Sequence, residues 1–187
     1  MADELNIPVT PAHPMYAYLK EQAEAARETV VTTFFPYGET ARWCVGVDLG
    51  QASDPTAIAV LVHHQGVLDH GNSFERRHGL SRQTPAERVD VRHLQRLPLG
   101  TSYPRIVEHV RELMTRPPLA EAKPTLVIDE TGVGRAVADI FVSEGMKPLC
   151  VTITGATVAD TAWHGEHRVH VAKQSLISVV DAGLHVG

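Results

Sequence analysis

The hydrophobic pattern changes period several times along the chain. Between residues 14 and 30, Tyr16, Leu19, Ala23, Ala26 and Val30 recur at helical spacing, which predicts a short amphipathic helix. F-F-P-Y-G-E-T at 34–40 is rich in breakers and predicts a joint. From Trp43 the pattern becomes strand-like. W-C-V-G-V-D-L-G reads as a buried strand ending in a glycine turn, and T-A-I-A-V-L-V-H-H, entered through D-P, as the next strand. G-V-L-D-H-G-N-S-F-E-R-R, after Q-G, reads as a weaker third. Turns this short predict antiparallel neighbours.

Past residue 100 the helical period returns. Ile106, Val107, Val110, Leu113 and Met114 make one face, with Pro104 in the first turn and Pro117-Pro118 at the end. T-L-V-I-D is a wholly apolar run into an acid. Val133, Val137, Ile140 and Phe141 form the next helical face, closed by Gly145, and P-L-C-V-T-I-T is a further apolar strand. The tail from Gln174 to Gly183 puts Leu176, Ile177, Val180 and Leu184 on one side of a last helix. Strand–helix–strand order with apolar strands predicts a right-handed parallel crossover covered on both faces. The expected fold is therefore α/β, with a mixed five-stranded sheet of three antiparallel strands and two parallel ones. Residues 1–42 form an N-terminal extension and 43–187 the domain.

Composition adds limits. With 187 residues and an apolar fraction of 43%, the chain can bury a core in one domain with an appendage. No apolar run approaches membrane-spanning length, and the acidic start M-A-D-E-L-N-I lacks the order of a signal peptide, so a cytoplasmic, non-secreted protein with no membrane partner is expected. Cys44 and Cys150 lie in apolar runs without C-x-x-C spacing, as buried reduced thiols do. The net charge of −5 argues against a general polyanion-coating protein. Yet residues 66–119 carry nine arginines against six acids, Arg76, Arg77, Arg82, Arg88, Arg92 and Arg96 among them. They form a candidate phosphate-facing surface; a plain solvated face is the competing account.

The candidate chemistry lies where apolar strands end in a bare carboxylate: V-G-V-D at Asp48 and T-L-V-I-D at Asp129. In α/β sheets ligands gather beyond the carboxyl ends of the strands. If these two strands are neighbours, about 4.8 Å apart, the two aspartates stand close enough to share a divalent cation, and without one their charges repel. Hard oxygen donors suit Mg²⁺ or Mn²⁺, and a pair of such ions serves in-line phosphodiester cleavage. Taken singly, each aspartate is better read as a turn or helix cap; two such strands in this element order reverse that preference.

V-G-V-D-L-G with D-P-T-A-I-A-V, then V-I-D-E-T-G-V-G-R-A, then V-A-K-Q-S-L-I at 171–177, resembles the nuclease domain of phage terminase large subunits. The resemblance covers most of residues 43–184. It implies an RNase H-like fold, a metal-dependent endonuclease cutting concatemeric double-stranded DNA during genome packaging in a bacterial host, and two metal ions. It also implies Asp48 and Asp129 as metal ligands, and a terminase ATPase, small terminase and portal protein as partners. The family's ATPase half, with its G-x-x-x-x-G-K-[ST] loop, has no counterpart in residues 1–42. Its third aspartate, on a late helix, is also missing before Gly187, and Asp181 is a weak substitute. The expectation is thus a C-terminally incomplete nuclease domain, with an inactive DNA-binding or packaging-motor module as the alternative. V-D-L-G also occurs in sugar-kinase and actin-like proteins, for which this chain is too short.

Other candidates are secondary. Asp54 in S-D-P-T is a turn residue or an accessory acid beside Asp48. Glu130 should point to the sheet face opposite Asp129. Gly132 and Gly134 resemble half of a dinucleotide fingerprint, but position 137 is Val137, so a tight turn is the better reading. His164, His167 and His170 sit in what reads as a surface hairpin rather than a zinc site. Lys173 and Arg168 flank the acids and are candidate DNA contacts.

Overall fold

The computed structural model describes residues 17, 18, 20, 31–37, 41–50, 53–132, 135–155 and 161–185. They belong to two compact units, Met1–Thr40 with His64–Arg88, and Ala41–His63 with Val89–Gly187. Residues 17, 18 and 20 are helical; the rest of the helix expected over 14–30 lies outside the described residues. Among these residues no helix is long and apolar enough to cross a membrane.

The second unit carries the sheet expected from the sequence. β2 (Arg42–Asp48) pairs antiparallel with the first half of β3 (Ala57–Gly71), Val45 opposite Val60 and Asp48 opposite Ala57. On its other edge β2 takes β5 (Thr125–Asp129) in parallel, and β5 takes β6 (Leu149–Thr154) in parallel. Two further strands extend this order: β8 (Arg168–Ala172), parallel to β6, and the short β7 (Ala162–Trp163), antiparallel to β8. β4 (Arg82–Arg96) pairs with β3, and both strands run through the two units. The order β4-β3-β2-β5-β6, three consecutive strands followed by two parallel crossovers on the far side of the first, is that of an RNase H-like α/β fold.

Alternation explains which sheet face is dry. Val45, Val47, Ile58, Val60, Leu126 and Ile128 are buried and stand opposite one another in the ladders. Against them pack Ile106, Val107 and Val110 of α2 (Tyr103–Met114) and Val137 and Phe141 of α4 (Arg135–Ser143). Leu119 of the short α3 (Leu119–Ala122) completes the cluster. α2 and α4 lie where the 3.6-residue period put them. The last helix, α5 (Lys173–His185), matches the expected tail, but Ile177, Val179 and Val180 on it are exposed.

In the first unit β1 (Val31–Pro36) pairs antiparallel with the second half of β3, Val31 opposite Gly71 and Pro36 opposite Gly66. The expected joint at 34–40 is therefore strand up to Pro36. β3 runs straight through Gln65-Gly66, where a turn was expected, because β1 supplies partners for residues 66–71. Gly66 admits that neighbour: a Cβ there would meet the Phe34 ring at 2.8 Å. The third strand expected over 66–77 does not form as a separate element. Asn72 stops it and caps α1 (Ser73–Arg77) in a capping box, its Oδ1 accepting from the Glu75 N–H while Glu75 Oε2 accepts from the Asn72 N–H, both at 2.8 Å. The strand count differs from five for these reasons; the mixed α/β class holds. Asp69, 3% exposed, accepts hydrogen bonds from Arg76 Nε, Ser81 Oγ and Gln83 Nε2 at 3.0, 2.8 and 2.9 Å. It ties β3, α1 and β4 together. Burial works to raise its pKa, but those bonds and the Arg76 charge hold the carboxyl below its ordinary range.

Candidate functional site

Parallel pairing of β2 with β5 makes Asp48 and Asp129 direct partners at the last rung of the ladder. Both alternate with buried residues, Val47 and Ile128, so both stand on the sheet face opposite the core. A cavity of about 630 Å³ opens on that face, its floor made by Gly46, Ala59, Val127 and Val151. Asp48 and Asp129 line it, as do Leu94 and Arg96 of β4 and Leu176 of α5.

The Asp48 carboxyl is pushed up from its ordinary pKa, first by burial, then by the charge of Asp129, then by that of Asp54. Asp54 acts there because residues 53–56 lie back against the end of β2. The Gly50 N–H donates to Thr56 Oγ1 at 3.0 Å, and the carbonyl of the buried Thr56 accepts from the Leu97 N–H at 2.9 Å. Only glycine fits at position 50, since a Cβ would lie 2.6 Å from the backbone of Pro55 and of Thr56. The D-L-G-x-x-S-D-P-T spacing thus returns a third acid toward the strand end. Its own side chain is exposed, with Ser53 Oγ donating to Asp54 Oδ2 at 3.3 Å.

Asp129 is fixed by the turn that follows it. The Thr131 N–H donates to Asp129 Oδ1 at 2.8 Å, Thr131 Oγ1 accepts from the Ile153 N–H at 2.7 Å, and Gly132 takes a φ of 83°. The tight-turn reading of Gly132 and the capping reading of Asp129 both describe this geometry; Gly134 lies outside the described residues. Glu130 does face away from the pair. Its carboxylate meets Arg168 Nε and Thr152 Oγ1, each at 3.4 Å, on the side of buried Cys150. Arg168 is thereby engaged with Glu130 within the fold.

The remaining candidates are spread out. Lys173 is exposed at the start of α5, and Asp181 is exposed further along it, not among the residues lining the cavity. Arg76, Arg77 and Arg82 belong to the first unit, and Arg76 is held by Asp69. His164 and His170 face each other across the β7–β8 hairpin, ring centroids 4.2 Å apart. Cys44 and Cys150 are both free thiols, Cys150 buried and Cys44 partly so. Among the described residues no group of three or more His, Cys, Asp or Glu is placed to hold a metal ion. Two carboxylates at one register are nonetheless a donor set of the kind Mg²⁺ uses, since that ion takes one or two carboxylates and fills its remaining positions with water and phosphate oxygens.

Sequence patterning missed β4 as a strand, and with it the placement of Arg96 beside the acids. The signal was present in R-V-D-V-R, where valines alternate with charges. It was outweighed by the density of arginine.

No protein-family model matches the chain, and no curated protein does. Among solved structures it is similar to the large terminase nuclease from thermophilic phage G20c, with 20% identity, a TM-score of 0.35 and 66% of this chain covered. The aligned part spans about half, 51%, of that chain. The RNase H-like assignment rests on strand order and register rather than on this likeness.

Proposed function

We propose that the chain is a terminase-type nuclease domain that hydrolyses DNA phosphodiesters with Mg²⁺ or Mn²⁺ held by Asp48 and Asp129. The observation that supports this reading is their pairing on one rung, one sheet face and one cavity wall. A bound cation supplies counter-charge to the two acids and Lewis acidity toward a phosphate oxygen. The chain's own groups prepare the site. Thr131 orients the Asp129 carboxylate through its N–H, and the Gly50–Thr56 closure holds Asp54 where it adds negative potential at Asp48. Double-stranded DNA as substrate, and a terminase ATPase, small terminase and portal as packaging partners, belong to the same proposal.

Supercoiled plasmid incubated with the purified chain and Mn²⁺ should become nicked. Asp48→Ala and Asp129→Ala should each abolish nicking, while Asp181→Ala should leave it intact. Nicking that survives both cavity substitutions sinks the proposal. A second reading, a non-catalytic DNA-binding module, is favoured by one observation: among the described residues no third acid, His or Cys is placed with Asp48 and Asp129 so as to hold a metal ion. Salt-dependent DNA binding with no nicking in Mn²⁺ is its signature.

A further inference from the structure

Carboxylates at a strand end repel a polyanion, so a site that acts on phosphodiesters needs cationic groups of its own to draw the substrate in. Arg96 is the one cation among the described residues lining the cavity with Asp48 and Asp129. It follows Leu94 by two on β4, so both side chains stand on one strand face, and both line the cavity. Arg92 continues that face about 13 Å further along the strand. Arg96 is exposed, and its guanidinium takes part in no ion pair or side-chain hydrogen bond among the described residues. Arg76, Arg105, Arg111, Arg116 and Arg168, by contrast, are each paired with an acid. An unpaired arginine lining one cavity with two acids has the donor fork that phosphate oxygens fit.

We infer that Arg96 is the residue through which this cavity grips a backbone phosphate of the nucleic acid, presenting the adjoining phosphodiester to Asp48 and Asp129. The inference rests on the nuclease reading for its substrate class, but its test does not pass through catalysis. Binding of a fluorescently labelled DNA duplex is followed by anisotropy in EDTA, over a series of salt concentrations. Arg96→Gln should weaken binding about tenfold at low salt and reduce the slope of log K against log[salt] by about 0.9, the loss of one phosphate contact. Arg96→Lys keeps the charge and should keep the slope, separating a lost contact from a disturbed fold. Arg105→Gln is the control. That side chain is 78% exposed on α2 and meets Glu108 at 3.6 Å, so its loss should leave the slope unchanged. An unchanged slope in Arg96→Gln, an equal change in Arg105→Gln, or a wild-type chain that binds no duplex at low salt each overturns the inference. Plasmid nicking with an unaltered Arg96→Gln slope removes Arg96 alone. An altered slope in a protein that never nicks DNA removes the nuclease reading and leaves Arg96 as the phosphate contact of a binding module.

Discussion

If Asp48 and Asp129 repel one another across the β2–β5 ladder, removing one charge should stabilise the metal-free protein. Asp48→Asn keeps the size and most hydrogen-bonding capacity of the side chain while deleting its charge. Two unit charges about 4.8 Å apart repel by about 0.9 kcal/mol in water and about 3.5 kcal/mol at an effective dielectric constant of 20. Asp48 is exposed, so solvent screening places the effect near the lower figure, about 1 kcal/mol. In a chain of this size that corresponds to a rise in melting temperature of about 2–4 °C. Thermal unfolding followed by circular dichroism in EDTA at neutral pH measures it. Adding Mn²⁺ should reverse the order of the two proteins. Wild type gains about 2.7 kcal/mol at a hundredfold excess over its dissociation constant, whereas the variant, with one ligand neutralised, gains far less. An Asp48→Asn protein that melts at or below wild type in EDTA would show that the paired carboxylates store no repulsion. The shared-cation argument would then lose its electrostatic basis.

Two further outcomes follow from the packing. Asp69→Asn removes a buried charge that accepts three hydrogen bonds, one of them charge-assisted from Arg76; a loss of about 3 kcal/mol is expected, read as a lowered urea midpoint. Because the folded-state pKa of Asp69 lies below the ordinary 3.8, its contribution is present above that pH and fades as pH falls through the folded value. The gap between wild type and variant should therefore close with acidification below about pH 4, and a gap that widens there refutes the assignment. Gly50→Ala forces a Cβ against the backbone of Pro55 and Thr56 and should cost about 1–3 kcal/mol, loosening the loop that carries Asp54. An unchanged urea midpoint in Gly50→Ala would mean the loop closes by some other route.

Much of the fold was legible where period and burial coincide. α2, α4 and α5 each carry a helical stripe, and T-L-V-I-D and P-L-C-V-T-I-T could bury both faces only as strands. Errors gathered in residues 31–96. Gln65-Gly66 has the composition of a turn, yet the chain stays extended because β1 pairs alongside it. N-S-F-E reads as strand from the apolar residues before it, yet Asn72 and Glu75 hold capping-box spacing and start a helix instead. β4 was read as a charged surface because its arginines mask the alternation of Val89 and Val91. Exposed strands give a weak signal of this kind, their side chains being chosen by solvent rather than by a core.

The residues alone establish that two apolar strands each terminate in an aspartate, that a glycine follows the first and a glycine-rich turn the second, and that helices connect the later strands. These are local properties, written in side-chain period and in the φ and ψ that a turn demands. Only the tertiary structure puts Asp48 and Asp129 on the same rung, turns Glu130 away toward Arg168, and swings Arg96 to the cavity wall. Strand neighbours and register are non-local. They emerge from which hydrophobic face each strand buries against α2 and α4, and a shift of one residue would send every one of those side chains to the other side of the sheet.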